Sequence, residues 1–333
     1  MEIKQLQLFS RIAEIGNLTR AASVLDVTQA ALSRQVAQLE AELGTELFRR
    51  NGRGLVLTDA GRRLLDQVPM VLRQIAIAER AVKGESAPLQ GSFVLGLAPS
   101  LARTVVVPLI QAFREQLPEV TLRTVDGTSA NLRELVGAGK LDCAVVYNPV
   151  PSETVDLRPL ASERLYLVSS LKAVRDGFVP PRSVRLEKLP ELPLVIAGKS
   201  NVIHGVLAAA LAEQGLTAQV VHEIENLTAI LDLIRHGYGC SVIPLSGVRP
   251  CIGDSKLRLH RIDKPHLECG LSIATPARSG NDMLISESTS LLREVVLKEL
   301  QRYHVEVENA IDEQSDIPTV GRSVAKTGRP QRQ

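Results

Sequence analysis

The chain has 333 residues, room for two or three domains at the ~100–200 residues typical of one. Hydrophobic residues make up 44% and charged residues 23%, ordinary for a protein with an ample core. Lys plus Arg number 39 against 37 Asp plus Glu, and the net charge of +2 excludes a polycation or a broadly charged membrane-surface protein but not one local basic patch.

The opening MEIKQLQLFSRIAEIG lacks the apolar run of a signal peptide, and no stretch reaches the ~18 apolar residues of a membrane span. Cys143, Cys240, Cys251 and Cys269 are widely spaced without a CxxC pair, so neither a structural zinc site nor a disulfide scaffold is expected. A cytoplasmic protein without membrane contact is the expectation.

Ile3, Leu6, Phe9, Ile12 and Ala13 recur at helical spacing and predict a first helix, ended by Gly16 and Asn17. Asn17 or Thr19 can cap a second helix carrying Ala21, Ala22 and Leu25. After a tight turn at Asp26-Val27, Thr28 can cap a third helix running to about Glu42. Its Leu32, Val36 and Leu39 face inward, leaving Ala30, Ser33, Arg34 and Ala37 outward and Gln29 exposed at the leading end. Two helices joined by a short turn, with small polar residues outside, suit a major groove. A Gln amide pairs with adenine, Arg forks onto guanine or holds phosphate, and small residues allow approach to thymine methyls. Beyond Leu47-Phe48, the run Arg49-Arg50-Asn51-Gly52-Arg53-Gly54 followed by LVLT predicts two short strands around a glycine turn, a wing whose arginines suit phosphates. The competing reading of the same residues is a small helical bundle with a basic loop.

From Thr58, a good cap, one long helix carries Leu64, Val68, Val71, Ile75, Ala78 and Val82 at alternating steps of four and three, a seam for a partner helix. Pro69 predicts a kink near Leu65 to Pro69. GESAPLQG, residues 84–91, is a linker, and beyond it apolar runs (SFVLGLA, VTLRTVD, LDCAVVY, LYLVS, LPLVIAG, AQVVHEI, CSVIP, LSIAT) alternate with helical stretches. That alternation predicts βαβ units and a mainly parallel sheet. From about Glu306 the periodicity fades, predicting a disordered tail over 305–333.

The segment LTRAASVLDVTQAALSRQVAQLEAELGTELFRR, followed by LTDAG, resembles the N-terminal domain of LysR-type transcriptional regulators over about residues 2–63. The resemblance implies DNA contacts at Thr28, Gln29, Ser33 and Arg34 on the recognition helix, at Arg49, Arg50 and Arg53 on the wing, and at Thr58 near the backbone. Ala30 stands there where many members carry Pro or Ser. It further implies linker helices paired through Leu64, Val68, Val71, Ile75 and Val82, in a homodimer or homotetramer on double-stranded promoter DNA bearing an interrupted inverted repeat, with RNA polymerase as a partner. From Ser92 onward the order resembles the family's two-lobed, periplasmic-binding-protein-like α/β effector domain, and FVLGLAP, GKLDCAVVYN and HEIEN resemble its nitrogen assimilation control branch. The fold class implied is α/β multidomain, with a winged helix-turn-helix at 1–58, a linker helix and hinge at 59–90, and an effector domain at 91–304. Lobe I would comprise 91–161 and 267–304, lobe II 162–266.

In such a fold a small-molecule effector sits between lobes, where strand ends meet helix N-termini. The strand ends offer Ser100 and Leu101, Thr128 and Ser129, Tyr147 and Asn148, Lys199, Ser200 and Asn201, and Glu225, Asn226 and Thr228. The effector site is expected at Ser100, Leu101, Thr128, Ser129, Asn148, Lys199, Ser200, Asn226 and Thr228, though ordinary helix capping explains each singly. Lys199 favours a carboxylate-bearing ligand and Glu225 argues the other way. Cys240 and Cys251 lie where peroxide-sensing members carry their redox pair, so a thiol-responsive regulator is one alternative and a ligand-independent one another. An enzyme would need a constellation, but there is no GxSxG, no GxxxxGK[ST], and GAGKLD lacks a third glycine. A free solute receptor would account for 91–304 but not for the first 87 residues. The six histidines show no HxH or HExxH spacing, so no metal and no cofactor is expected.

Overall fold

The computed structural model of the chain describes residues 1–51, 54–83, 89–277 and 282–314. Three helices open it: α1 (Ile3–Ile15), α2 (Leu18–Val24) and α3 (Gln29–Leu43). Each starts where the sequence supplies an acceptor for orphan N–H groups: Asn17 Oδ1 accepts from Arg20 N at 3.0 Å, and Thr28 Oγ1 from Ala31 N at 3.2 Å. Gly44 ends α3 at φ 66°, a left-handed conformation that a side chain would strain. Strands β1 (Phe48–Asn51) and β2 (Gly54–Leu57) pair antiparallel as the wing. Leu6, Phe9, Ile12, Leu32, Leu39 and Phe48 form a small core, with the Phe9 and Phe48 rings 5.2 Å apart. Buried Ala21 and Ala22 let α2 lie close to its neighbours.

Helix α4 (Asp59–Lys83) begins at Thr58, whose hydroxyl accepts from Gly61 N at 3.0 Å, and is helical throughout, Pro69 included. The expected seam needs correction at its first two positions. Val68 is 1% exposed within the core of the N-terminal head, and Leu64, Leu65 and Leu72 pack against that core. Helical periodicity identifies an apolar face but not its partner, and here α1 supplies the partner within the same protomer. Val71 is 39% exposed and Ile75 half-buried, whereas the Val82 side chain lies outside the described residues.

The second half opens with β3 (Gly91–Leu97), α5 (Pro99–Gln116), β4 (Val120–Asp126), α6 (Ser129–Gly137) and β5 (Cys143–Tyr147). Next come the 16-residue β6 (Val155–Ser170), α7 (Leu171–Arg175), β7 (Ser183–Arg185), β8 (Leu194–Ile196), α8 (Val202–Ala212) and β9 (Val220–Glu223). Then follow α9 (Leu227–Arg235), β10 (Ser241–Pro244), α10 (Leu245–Val248), β11 (Leu257–Asp263), β12 (Glu268–Pro276) and α11 (Met283–Glu313). One eight-stranded sheet runs β4-β3-β5-β12-β6-β11-β7, with β10 also on β6, while β8 and β9 pair separately.

The sheet is mixed, not mainly parallel. β3 runs parallel to β4 and β5, and β7 to β11, but β12 is antiparallel to β5 and β6, and β6 to β10 and β11. The chain leaves the first lobe along β6 and returns along β12, so these two must run oppositely. The expected lobe boundary at 161/162 falls inside β6, which pairs with β12 from Val155 to Arg164 and with β10 and β11 from Leu165 to Ser170. Its first ten residues read poorly as a strand because five are polar or charged and Pro159, opposite Ser272 where the register shifts, interrupts them.

The tail expected over 305–333 is also corrected in its first part. Helix α11 continues to Glu313 because Tyr303, Val307 and Ile311 extend its buried stripe at every fourth residue. Arg261 fixes that end through Glu308 at 2.6 Å and Asp312 at 2.9 Å, and the Tyr166 hydroxyl donates to Glu308 at 2.8 Å. Residues 315–333 lie outside the described residues.

Candidate functional site

The outward face of α3 starts at the Thr28 cap. Gln29, Ala30 and Arg34 are exposed, Ser33 is half-buried, and Gln29 Oε1 accepts from the Thr19 hydroxyl at 3.3 Å. Leu32 and Leu39 anchor the opposite face. Arg49 is exposed on the wing; the Arg50 side chain and all of Arg53 lie outside the described residues. Thr58 does not present a free donor to a phosphate, because its hydroxyl donates to Glu46 O at 2.7 Å and caps α4. Sequence reasoning missed Glu40. Its Oε1 accepts from Leu47 N at 2.7 Å and Phe48 N at 3.0 Å, tying the far end of α3 to the start of the wing. A side chain gripping amides seven and eight residues onward has no local periodic signature.

Between the lobes lies a cavity of about 320 Å³, at the carboxyl ends of strands and the N-termini of helices. Ser100, Thr128, Ser129 and Ser200 line it. Five expected residues do not. Leu101 is fully buried in the core beneath α5. Asn148 ties the end of β5 to the neighbouring β12, accepting from Gly270 N at 2.7 Å, and Asn226 caps α9, accepting from Ala229 N at 3.0 Å. Lys199 is exposed, and Thr228 accepts from Arg103 Nη1 at 3.0 Å, joining α9 to α5. Ending at a strand places a residue within a turn of the cleft without fixing which way it points.

Asp126, Tyr147, His204 and Glu225 line the cavity although the expected set lacks them. Beneath Tyr147, wholly buried on β6, sits Glu163. The Tyr147 hydroxyl lies 3.2 Å from Glu163 Oε1 and 3.0 Å from the Ser246 hydroxyl, and Ser246 N donates to Glu163 Oε2 at 3.0 Å. Burial raises the Glu163 carboxyl above the usual carboxylate range. The network therefore bonds β5, β6 and α10 around one acid. An isolated Glu before the apolar LYLVS run was its faint signal.

All four cysteines are buried and unpaired, and burial pushes the Cys240 and Cys251 thiols up to about 12. Thiolate is the reactive form, so this arrangement gives the thiol-responsive alternative no support. Among the described residues no His, Cys, Asp or Glu cluster could hold a metal ion, and no helix is long and apolar enough to cross a membrane.

The chain matches the LysR substrate binding domain over residues 86–297, and the bacterial regulatory helix-turn-helix protein, lysR family, over residues 3–62. It is 33% identical over 307 residues to the nitrogen assimilation regulatory protein nac of Klebsiella aerogenes, covering 92% of this chain and 97% of that one. It is also 33% identical over 297 residues to its namesake in Escherichia coli (strain K12), covering 89% and 95%. The fold is similar to that of a full-length OxyR variant from Pseudomonas aeruginosa, with a TM-score of 0.69 and 21% identity over 89% of this chain and 94% of that one. CbnR, solved in complex with its target DNA, gives a TM-score of 0.65 and 21% identity over 91% of this chain and 100% of that one. A winged head with an exposed recognition helix, a long linker helix and two α/β lobes around a cleft thus coincide with matches along nearly the whole chain: the protein belongs to the LysR family of DNA-binding transcriptional regulators, a family of regulators and not of enzymes.

Proposed function

We propose that this regulator reads promoter DNA through Gln29, Ala30, Ser33 and Arg34, capped by Thr28, with Arg49, Arg50 and Arg53 on flanking phosphates, and that an effector in the inter-lobe cleft modulates it. The exposed leading edge of α3 beside the wing carries the reading: a face of small polar residues and one arginine, backed by an apolar core, fits a major groove. Val71 and Ile75, the seam positions not buried against the head, are the surface through which two α4 helices pair. Such a dimer, or a tetramer built from it, holds two heads on an interrupted inverted repeat in the cytoplasm. Effector binding shifts an equilibrium between two arrangements of the heads, changing DNA bending or contact with RNA polymerase.

The test uses the full chain. Selection from random duplexes yields a preferred sequence, and a salt series on it gives a log–log slope set by the phosphates neutralised. Gln29→Ala or Arg34→Ala lowers discrimination between that sequence and random DNA by roughly 1–3 kcal/mol. Equal losses on both DNAs would contradict the base-reading assignment.

A further inference from the structure

The cleft wall carries two carboxylates and, among the described residues, no Lys or Arg. The carboxylates are Asp126, at the end of β4, and Glu225, just before α9. Lys199, which would favour an anion, is exposed and not part of the wall, and Arg103 donates to Thr228 at 3.0 Å.

Helix N-termini ordinarily supply the free N–H groups that attract anions, and α5, α6, α8 and α9 all start at this wall. Here the chain itself takes many of those donors. Thr128 Oγ1 accepts from Asn131 N at 3.3 Å, Asn201 Oδ1 from Ile203 N at 3.0 Å, and Asn226 Oδ1 from Ala229 N at 3.0 Å. Helix α5 opens with Pro99, which has no N–H. Glu225 Oε1 accepts from Gly198 N at 3.1 Å, so a carboxylate of the protein already occupies the turn before α8. His204 Nδ1 lies 2.9 Å from Ala197 O and donates to it, so that ring N–H too is taken by the chain. Much of the remaining wall is apolar, including Ile196, Val202, Leu207, Leu227, Ile230 and Val242.

We propose that the cleft binds a small organic cation, a protonated amine on an apolar body, with Asp126 and Glu225 drawing the ammonium and the apolar wall covering the rest. An anion of the same shape would meet two like charges and, among the described lining residues, no Lys or Arg. This rests on the reading of the cleft as the effector site.

Benzylamine, benzyl alcohol and benzoate share one skeleton and differ in charge, so saturation-transfer titrations of the full-length protein with each read the preference directly. Benzylamine should bind about tenfold or more tighter than benzoate. In the Asp126→Asn/Glu225→Gln variant that ratio should collapse toward one, with benzyl alcohol unaffected. Benzoate binding as tightly as benzylamine, or a preference that survives the double variant, overturns the proposal. Ser200→Trp, at an exposed wall position, separates the two readings. If benzyl alcohol binds the wild type but not this variant, the cleft stands as a ligand site even where the charge preference fails. Failure of all three probes to bind the wild type removes the cleft and the proposal together.

Discussion

The DNA-binding head and the two-lobed half are stabilised on different length scales. In the head, helix caps act over two or three residues, and a core of a few side chains holds α1, α2, α3 and the start of α4. In the lobes the contacts that matter join distant residues: Thr104 to Ser246, Tyr147 to Glu163, Arg103 to Thr228. The head presents its chemistry outward on one helix, whereas the lobes enclose theirs between strand ends that only the completed fold brings together.

The head's core shares no residue with the two core clusters of the lobes, which predicts separate unfolding transitions for head and lobes. Phe9→Ala should have the largest effect, about 3–5 kcal/mol for a buried aromatic, enough to unfold so small a core. Calorimetry should show the head transition lost and the lobe transition retained; loss of both would mean the halves fold as one unit. Glu163→Ala is the reciprocal experiment. It strands Ser246 N–H in the interior, at about 1–3 kcal/mol for an unsatisfied group, leaves the Tyr147 hydroxyl only its hydroxyl partners, and should lower only the lobe transition.

Acid provides a third contrast. His260 is buried on β11, and desolvation, with Arg258 adding to it, pushes its imidazole down to about 4. Histidine in an unfolded chain titrates near ~6.5, so the unfolded lobes take up the proton first. Their stability should therefore fall as pH drops from about 6.5 toward 4, an effect fully absent above that window. Glu163, its carboxyl raised, acts in the opposite sense, so the readout is the difference between wild type and His260→Gln. The variant's melting temperature should fall less than the wild type's as pH drops through that range. The head contains no histidine, and its transition should show none of this difference.

The smallest effect should come from the Lys140–Asp66 ion pair, 2.7 Å long, which joins α4 to the first lobe. Both side chains are about half exposed, so Lys140→Ala should shift either transition by ~0–1 kcal/mol. A larger change would make this contact a real coupling between the halves.

The same difference in scale decided what could be read from the amino acids. Thr28 as a cap and the outward Gln29 and Arg34 follow from spacing within two turns of helix. At the cleft, strand ends led to Ser100, Thr128, Ser129 and Ser200, but Lys199 and Thr228 carry equally suitable groups and do not line it. Only the packing of α8 and α9 against β8 and β10 settles which neighbour points inward. Leu64 and Val68 failed differently: an apolar stripe is equally satisfied by another subunit or by α1. The last turns of α11 were missed because Glu306, Glu308 and Asp312 between the buried positions made the segment look solvated, and the arginine that pairs with two of them lies far away on β11.

Strand β6 has a mechanical consequence. Past the irregularity at Pro159, its hydrogen-bond ladder passes directly from β12 at Arg164 to β10 at Leu165, from partners in one lobe to partners in the other. Opening the cleft like a clamshell on a slack loop would tear that ladder, so the lobes are left with torsion about a shared, stiff axis. On the proposed reading, an effector in the cleft would send a small rotation down the chain rather than a wide swing, which the 25-residue α4 would magnify at the DNA.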